Sequence, residues 1–479
     1  MITTEFDVVI IGAGPVGENV ADRIVQGGLT AAIVESELVG GECSYWACMP
    51  TKALLRDAAA LRAVRQLPGA AAAVTGTLDV SAVLARRDSF ASNWSDAGQV
   101  AWLDDVGITL VRGRGRLDGA RTVTVTGPGG TITTLTARHA VVVSTGTSAA
   151  LAPIPGLADA TPWTSREAVS AKSIPNRLAI IGGGVVGTEM ATAYTALGAA
   201  VTLIARDGVL PNVEPYAARH VVASLTAAGA EVLLGASPTR IDRGSDGTVH
   251  IALADGRTID SDEVLVATGR TPNTGDLGLE SVGLAASSWL TVDDTLRVVD
   301  ADGAVFDNGW LYAVGDVNRR ALLTHQGKYQ ARAAGDVIVA RARDEQVDAA
   351  PWGRHAATAD ERAVPQVIFT DPEIASVGHT VASATAAGLH FRAVEYDLGA
   401  VAGAALHADG YTGRASMLIN DDTNTVIGFT AVGPDVTELV HAATIAIVGE
   451  VTLDRLWHAV PAYPTMSEIW LRLLETAGR

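Results

Sequence analysis

The chain has 479 residues, and 53 acidic against 35 basic side chains give it a formal net charge of −18. So acidic a surface repels nucleic acid and anionic membranes, and we expect neither as a partner. No apolar run reaches the roughly 18 residues of a membrane helix, and MITTEFDVV lacks the basic start of a secretory signal, so we expect a cytoplasmic protein.

The first predicted elements form a candidate dinucleotide site. Residues 6–36 run as an apolar strand, a glycine-rich turn, an alanine-rich helix and a second apolar strand. Gly12, Gly14 and Gly17 have the GxGxxG spacing, which permits a tight turn and a close approach of the backbone to a pyrophosphate. Glu35 ends the second strand, where a carboxylate binds a ribose 2′-hydroxyl. The segment therefore predicts a dinucleotide with a free ribose.

The only two cysteines, Cys43 and Cys48, come next in GGECSYWACMPTK. A structural disulfide across so short a loop would remove little chain entropy, and structural zinc needs more ligands than the pair supplies. Two unrelated buried thiols are an alternative. The helical pattern of residues 49–64 places the pair near a helix N-terminus, which stabilises thiolates and favours a redox-active pair.

A second candidate dinucleotide site follows a glycine turn at Gly146. Residues 177–207 repeat the strand, turn, helix and strand of the first segment. The glycines of this second motif are Gly182, Gly184 and Gly187. The position that holds the ribose carboxylate in the first segment is here Ala205, and Arg206 follows it, so we favour NADPH over NADH. The alternative is that Arg206 is only a solvated charge beside Asp207.

Further turns after apolar strands lie at Gly269, in VLVATGRTPN, and at Asp316, in LYAVGDV. Residues 340–364 are polar and rich in alanine, which is typical of a linker or an exposed helix end. The stretch FTDPEIASVG, residues 369–378, opens a last segment of alternating strands and apolar helices without a phosphate loop. We expect this segment to serve assembly and substrate contact.

The order of these motifs resembles the flavoprotein disulfide reductases, a family that includes lipoamide dehydrogenase, glutathione reductase and mercuric reductase. The shared motifs are the two GxGxxG turns, GGxCxxxxCxPxK, ATGRTPN, YAVGDV, FTDPEIASVG and PTMSE. The resemblance implies an α/β fold with two Rossmann-like domains and a C-terminal α+β dimerisation domain. It implies an FAD domain over residues 1–150 and 271–345, an NAD(P)H domain over 151–270 and an interface domain over 346–479.

The resemblance also implies a role for each matching residue. Cys48 would face the flavin as the charge-transfer thiol, and Cys43 would be the interchange thiol that attacks the substrate. Lys52, paired with Glu189, would lie near flavin N5, and Asp316 would bind the ribityl chain. The turns at Gly146 and Gly269 would contact the cofactors, FAD and NADPH. The protein would be a homodimer whose active site is shared between subunits.

One motif departs from the family pattern. In the resembling disulfide reductases the C-terminus reads HPTxxE, and that histidine is the acid–base group for the interchange thiol. Here the stretch HAVPAYPTMSEIW places Tyr463 in the histidine position, while Glu468 remains as its expected partner. A tyrosine, with a pKa of about 10, is a poor proton donor at pH 7. His458 lies five residues earlier, and we interpret it as a structural or surface residue; the alternative is that it substitutes for the missing histidine.

The functional prediction is an NAD(P)H-dependent FAD oxidoreductase that passes electrons through Cys43 and Cys48 to a non-standard acceptor: a reactive thiol oxidant, a metal ion or a quinone. The alternatives are a reductase of a low-molecular-weight disulfide, a dihydrolipoamide dehydrogenase-like enzyme, and a non-catalytic flavin-binding subunit. A dedicated mercuric reductase lacks support, because the chain has no further cysteine pair. Tyr45 and Trp46, between the cysteines, are predicted either to pack, to narrow access or to stack on a flat substrate.

Overall fold

The computed structural model describes residues 2–479. The strands, in chain order, are β1 (Ile2–Ile11), β2 (Ala31–Glu35), β3 (Thr109–Arg112), β4 (Arg114–Leu117), β5 (Thr122–Thr126), β6 (Ile132–Val143), β7 (Thr147–Ala149), β8 (Arg177–Ile181), β9 (Ala200–Ala205), β10 (Glu231–Leu234), β11 (Pro238–Arg243), β12 (Val249–Leu253), β13 (Thr258–Ser261), β14 (Glu263–Val266), β15 (Arg270–Pro272), β16 (Leu311–Ala313), β17 (Pro365–Ile368), β18 (Glu373–Gly378), β19 (Phe391–Asp397), β20 (Arg414–Asn420) and β21 (Thr425–Gly433).

The helices, also in chain order, are α1 (Pro15–Gln26), α2 (Gly41–Tyr45), α3 (Cys48–Arg65), α4 (Pro68–Ala71), α5 (Val80–Phe90), α6 (Ala97–Val106), α7 (Ser165–Ser170), α8 (Val185–Ala196), α9 (Pro215–Ala227), α10 (Thr324–Ala342), α11 (Ala359–Arg362), α12 (Val381–Ala386), α13 (Ala402–His407), α14 (Leu439–Val448), α15 (Leu453–Leu456) and α16 (Glu468–Thr476). Among residues 2–479, we find no helix with the length and apolar character that crossing a bilayer requires.

The chain divides into two compact units. Unit 1 comprises Met1–Met49, Ser89–Ser148 and Arg270–Glu361, and unit 2 comprises Pro50–Asp88, Ala149–Gly269 and Arg362–Arg479. Both predicted segments of the FAD domain fall largely in unit 1, and the predicted NAD(P)H and interface domains fall largely in unit 2; residues 346–361 of the predicted interface domain belong to unit 1. The exact domain boundaries stay a prediction.

Unit 1 is built on one sheet with the order β3-β2-β1-β6-β5-β4, and β16 also pairs with β6, at residues 141–143. The strands β3, β2, β1, β6 and β16 run parallel, and β5 and β4 continue antiparallel. Because side chains alternate between the faces of a strand, Val8 and Ile10 pack against α1 and α10, whereas Val9 and Ile11 enter a second core. Both faces are buried, which explains the continuous apolar run VVII, residues 8–11.

Unit 2 contains a parallel sheet of order β10-β9-β8-β14 and an antiparallel sheet of β11, β12 and β13. A shared apolar core, which includes Ile181, Ile204, Val266 and Ile251, joins these two sheets. The C-terminal part is an antiparallel sheet of order β17-β18-β21-β20-β19, on which α14 and α16 pack. Two strand–turn–helix–strand segments and a C-terminal α+β part confirm the predicted fold class.

Candidate active site

The first glycine turn leaves open space at the N-terminus of α1. Gly12 has a φ of +104°, and a Cβ there would lie 2.5 Å from the carbonyl oxygen of Ser144. A Cβ on Gly17 would lie 2.0 Å from the carbonyl oxygen of Gly12, so side chains are excluded from both positions. A Cβ on Gly14 would meet nothing closer than Gly41 Cα at 3.9 Å, and α1 has no side-chain cap. The uncapped backbone N–H groups fit a pyrophosphate.

Glu35 lies at the end of β2, beside this turn. Its Oε2 accepts a hydrogen bond from the backbone N–H of Ala13 at 2.8 Å, and its Oε1 accepts one from Glu37 N–H at 2.8 Å. Burial raises the pKa of this carboxyl, and the backbone N–H bonds oppose that rise. A carboxylate fixed beside a helix N-terminus is the group that a ribose hydroxyl requires. The turn and the carboxylate together fit a dinucleotide with a free 2′-hydroxyl.

The second glycine turn has the same construction in unit 2. Gly182 has a φ of +118°, and a Cβ on Gly187 would lie 1.9 Å from its carbonyl oxygen. At Gly184 no heavy atom of the described chain lies within 4 Å of such a Cβ. Arg206, just past β9, is 74% exposed and forms an ion pair with Asp207 at 2.7 Å. The turn fits a second dinucleotide, and the arginine is paired with its neighbour in this structure.

The two cysteines lie together in unit 1. Cys43 is in α2, Cys48 is the first residue of α3, and the structure holds both as thiols. A hydrogen bond with Cys48 and then burial raise the pKa of Cys43, while Thr324 and Lys328 act in the opposite direction. Two thiolates so close together repel each other, so the reduced pair holds one proton in common.

The side chain of Thr324 contacts the pair, a role that the sequence did not predict. Its Oγ1 lies 3.5 Å from Cys48 Sγ, and the two groups form a hydrogen bond. A threonine at the start of a helix is typical of an N-cap. Here the cap position of α10 belongs to Leu323, which leaves the Thr324 hydroxyl available to the thiol.

The aromatic residues between the cysteines differ in exposure. Tyr45 is fully buried, and its hydroxyl donates a hydrogen bond to the carbonyl oxygen of Val39 at 3.0 Å. Its ring lies 5.6 Å from the ring of Trp46, which is only partly buried. Tyr45 therefore packs inside unit 1, and stacking on a substrate would require Trp46.

Lys52 and Glu189 form an ion pair in unit 2. Lys52 Nζ lies 2.8 Å from Glu189 Oε2, and the other carboxylate oxygen accepts the backbone N–H of Phe369 at 2.9 Å. The ring of Phe369 also lies 4.8 Å from Nζ, at the distance of a cation–π contact. The carboxylate of Glu189, with 4% of its side chain exposed, thus holds the ammonium group in place. Phe369 belongs to FTDPEIASVG, but nothing in that motif indicated this contact.

Asp316 lies in a helical turn over Gly315–Asn318 in unit 1. Its Oδ2 accepts a hydrogen bond from the hydroxyl of Thr147 at 2.8 Å, and Arg270 Nε lies 3.8 Å away. Burial raises the pKa of Asp316, and these two neighbours lower it. The turn at Gly146, with a φ of +68°, accepts the backbone N–H of Asn273. In unit 2, Gly269 has a φ of +149°, which also favours glycine.

The C-terminal residues of the candidate site differ in their exposure to solvent. Tyr463 is 76% exposed, and His458 is exposed as well. Glu468, the first residue of α16, is 5% exposed, and its Oε1 accepts a hydrogen bond from Arg472 at 2.5 Å. Its Oε2 has no hydrogen-bond partner among residues 2–479. The charge of this carboxylate is thus balanced within its own helix. No group of three or more potential metal ligands occurs in the described residues.

Two family signatures cover most of the chain. Residues 6–335 match the pyridine nucleotide-disulphide oxidoreductase family, and residues 364–473 match the dimerisation domain of the same family. In unit 2, exposed apolar side chains recur through the C-terminal part of this domain, at Ile445, Val448, Trp457 and Val460. Such side chains are typical of a surface that a partner covers.

Among proteins of known activity, the chain is 31% identical to a dihydrolipoyl dehydrogenase from Chlamydia pneumoniae, over 98% of this chain and 96% of that one. It is 32% identical to a mercuric reductase from Acidithiobacillus ferrooxidans, over 97% of this chain and 81% of the other. Among solved structures, LpdA from Mycobacterium tuberculosis superposes with a TM-score of 0.82 at 25% identity, over 100% of both chains.

The Cu(II) complex of the HOCl-induced flavoprotein disulfide reductase RclA from Escherichia coli shares the fold, with a TM-score of 0.82 at 22% identity over 98% and 99% of the two chains. These matches confirm the resemblance predicted from the motifs, the enzyme class, and the cofactors FAD and NAD(P)H. The chain belongs to the pyridine nucleotide-disulphide oxidoreductase family of flavoenzymes.

Proposed function

We propose that electrons pass from NADPH through FAD to Cys43 and Cys48, and then to a thiophilic metal ion. The observation that carries this proposal is the C-terminal motif. Tyr463 stands where the resembling disulfide reductases have a histidine, and Glu468 forms its ion pair with Arg472. An acceptor that needs a protonated leaving group would find a poor donor in a phenol at pH 7.

Each element of the candidate site has a part in this proposal. FAD supplies the transfer of an electron pair between the nicotinamide and the dithiol. The first glycine turn and Glu35 bind its diphosphate and ribose, and Asp316 holds its ribityl chain. Lys52 presents a positive charge, which Glu189 keeps in one position. The second glycine turn binds the nicotinamide dinucleotide, and Arg206 donates hydrogen bonds to the 2′-phosphate of NADPH.

The state of the reduced pair favours a metal acceptor. A hydrogen bond with Cys48 and then burial raise the pKa of Cys43, which disfavours the thiolate form that attacks a disulfide. A soft metal ion displaces the proton when it binds the sulfur, and thiolate is its preferred ligand. In the balanced reaction, NADPH and one divalent metal ion give NADP⁺, one proton and the metal in an oxidation state lower by two. The chain is about equally identical to a mercuric reductase and to a dihydrolipoyl dehydrogenase, at 32% and 31%, so the choice of a metal acceptor rests on the C-terminal motif and the thiols.

Anaerobic titration of the holoenzyme with NADPH tests the proposed electron path. We expect a long-wavelength thiolate–flavin band after two electrons, together with two newly titratable thiols. Steady-state NADPH oxidation would then be compared for Hg²⁺, lipoamide, a small aromatic disulfide and a quinone. Faster turnover with either disulfide than with the metal ion would reject the proposed acceptor. Bleaching of the flavin without the long-wavelength band would reject the dithiol path.

The NADPH proposal predicts an effect of Asp207. In Asp207→Asn, Arg206 loses the carboxylate that competes with the 2′-phosphate, so we expect the KM for NADPH to fall. The fall should be only about threefold, because the ion pair is exposed and weak. The KM for NADH, which has no 2′-phosphate, should stay unchanged. In Arg206→Ala, the KM for NADPH should rise roughly tenfold. Equal changes for both nucleotides in either variant would mean that Arg206 does not contact the 2′-phosphate.

Thr324 is predicted to set the ionisation of the dithiol. In Thr324→Val the hydrogen bond is lost while the shape is kept, so we expect the apparent pKa of the reduced pair to rise by about one unit, the equivalent of ~1.5 kcal/mol for a bond to a charged group. The pH dependence of the long-wavelength band measures this pKa. Thr324→Ser keeps the hydroxyl and is the control. An unchanged pKa in the valine variant would contradict the assignment.

A further inference from the structure

The carboxylate of Asp360 is the centre of a buried polar network in unit 1. Its side chain has no exposed surface, and both oxygens accept hydrogen bonds. Gln326 Nε2 donates to Oδ1 at 2.9 Å, and Gln330 Nε2 donates to Oδ2 at 2.9 Å. Arg320 Nε lies 3.4 Å from Oδ2 and balances the charge.

Gln330 connects this carboxylate to the turn that carries Asp316. Its Oε1 accepts the backbone N–H of Gly315 at 2.7 Å and the side-chain amide of Asn318 at 2.8 Å. The side chain of Gln330 is fully buried, so water cannot replace a lost partner. Both ends of its amide are therefore hydrogen-bonded, the oxygen to the turn and the nitrogen to Asp360.

The amide of a glutamine can lie in two orientations, and its partners decide between them. A carboxylate only accepts hydrogen bonds, so it selects the orientation in which Nε2 faces Asp360 and Oε1 faces the Gly315 N–H. We infer that Asp360 is a positioning residue for the flavin turn Gly315–Asn318, acting through Gln330. This inference rests on the proposed contact of Asp316 with the flavin and is independent of the choice of acceptor.

Protonation of Asp360 would reverse part of this effect. Burial raises its pKa to about 6; Arg320, Gln326 and Gln330 oppose the rise, and Asp294 adds to it. Tyr329 and Glu361 are the other titratable groups nearby, the latter 3.7 Å from Arg320. A protonated carboxyl donates a hydrogen bond, so it competes with the Gln330 amide. The hydrogen bonds by which Gln330 holds the turn Gly315–Asn318 should therefore weaken as the pH falls through 6.

Overall stability should change in the opposite direction. Because folding raises the pKa of Asp360, the protonated carboxyl favours the folded chain. This contribution is complete below about pH 4 and is lost as the pH rises through 6. A purely structural role for Asp360 thus predicts a gain in stability at low pH without a change at the flavin. The proposed role predicts looser flavin binding in the same range.

The test measures FAD release from holoenzyme variants by fluorescence between pH 5 and 8. At pH 7.5 we expect release to be roughly tenfold faster in Asp360→Asn, because the amide no longer fixes Gln330. In the wild type, release should accelerate below pH 6, and this dependence should vanish in the variant. Gln330→Met should resemble Asp360→Asn. Gln326→Met is the matched control, because it removes a donor from the same carboxylate without touching the turn, and it should stay within twofold of wild type.

Equal acceleration in the Gln326 and Gln330 variants would overturn the inference, since it would show a general packing effect. A wild-type release rate that is flat from pH 5 to 8 would overturn it as well. If Asp360→Asn does not fold, the comparison of the two glutamine variants still decides. Asp316→Asn separates this inference from the proposed flavin contact: wild-type release in that variant would reject the contact itself.

Discussion

Replacing Cys43 by serine is expected to lower NADPH-dependent metal reduction by at least ~10³-fold, because hydroxyl is neither a ligand for a soft metal ion nor a redox partner for Cys48. Electron transfer from the reduced flavin to a small quinone should stay within about twofold of wild type, because that path bypasses the dithiol. Parallel steady-state assays with Hg²⁺ and with a quinone on one preparation of the variant measure both effects.

Two further results would decide how to interpret the Cys43→Ser variant. If metal and quinone reduction fell together, the substitution would have damaged flavin binding, and the flavin content would show it. If metal reduction persisted, the pair would not be the exit for electrons. Cys48→Ser is the complementary change: it should abolish both metal reduction and the long-wavelength band, since it removes the thiol that would face the flavin.

Tyr463→His is expected to raise the reduction of a small disulfide by roughly 10- to 100-fold. An imidazole with a pKa of about 6.5 can donate a proton to a leaving thiolate at pH 7, and general acid–base catalysis of this kind contributes ~10²-fold or more. Tyr463 is exposed in the chain, so the smaller ring should cost little stability. Disulfide-dependent NADPH oxidation between pH 6 and 9 measures the gain.

Glu468, the expected partner of the side chain at position 463, provides the control for this gain. Glu468 Oε2 has no hydrogen-bond partner in the described chain and can accept the second N–H of the new imidazole. Tyr463→His combined with Glu468→Gln should therefore lose most of the gain. Metal reduction by the single variant should change less than threefold. A disulfide activity that stays at the wild-type level would show that position 463 does not act on the interchange thiol.

The parts of the site that local geometry dictates were predictable from the sequence. Gly12 and Gly182 have positive φ angles, and side chains at Gly17 and Gly187 would overlap backbone oxygens. Glycine is therefore required at fixed positions, and the sequence shows this as the GxGxxG spacing. The apolar strands that flank both turns are typical of parallel strands buried on both faces. The glycine spacing therefore predicted the two nucleotide turns, and the resemblance of the ordered motifs implied the fold class.

The partners of the functional side chains depend on contacts between distant segments, and no local pattern records them. Phe369 meets Glu189 across 180 residues, and Thr324 meets Cys48 across 276. The pairing of Glu468 with Arg472 is local, at helical spacing, but its importance emerges only once Glu468 is known to be buried. The role of Tyr45 was also left open by the sequence, because only its burial in the fold distinguishes packing from contact with a substrate.

The proximity of the only two cysteines has a practical consequence for work in cells. No third sulfhydryl exists in the chain, so alkylation of the whole protein reports on this pair alone. After rapid quenching with an alkylating reagent, intact mass should show chains carrying either two adducts or none. The ratio of these two species gives the fraction of reduced enzyme in vivo, and its response to an added oxidant or metal ion can be followed over time without purification of the active form.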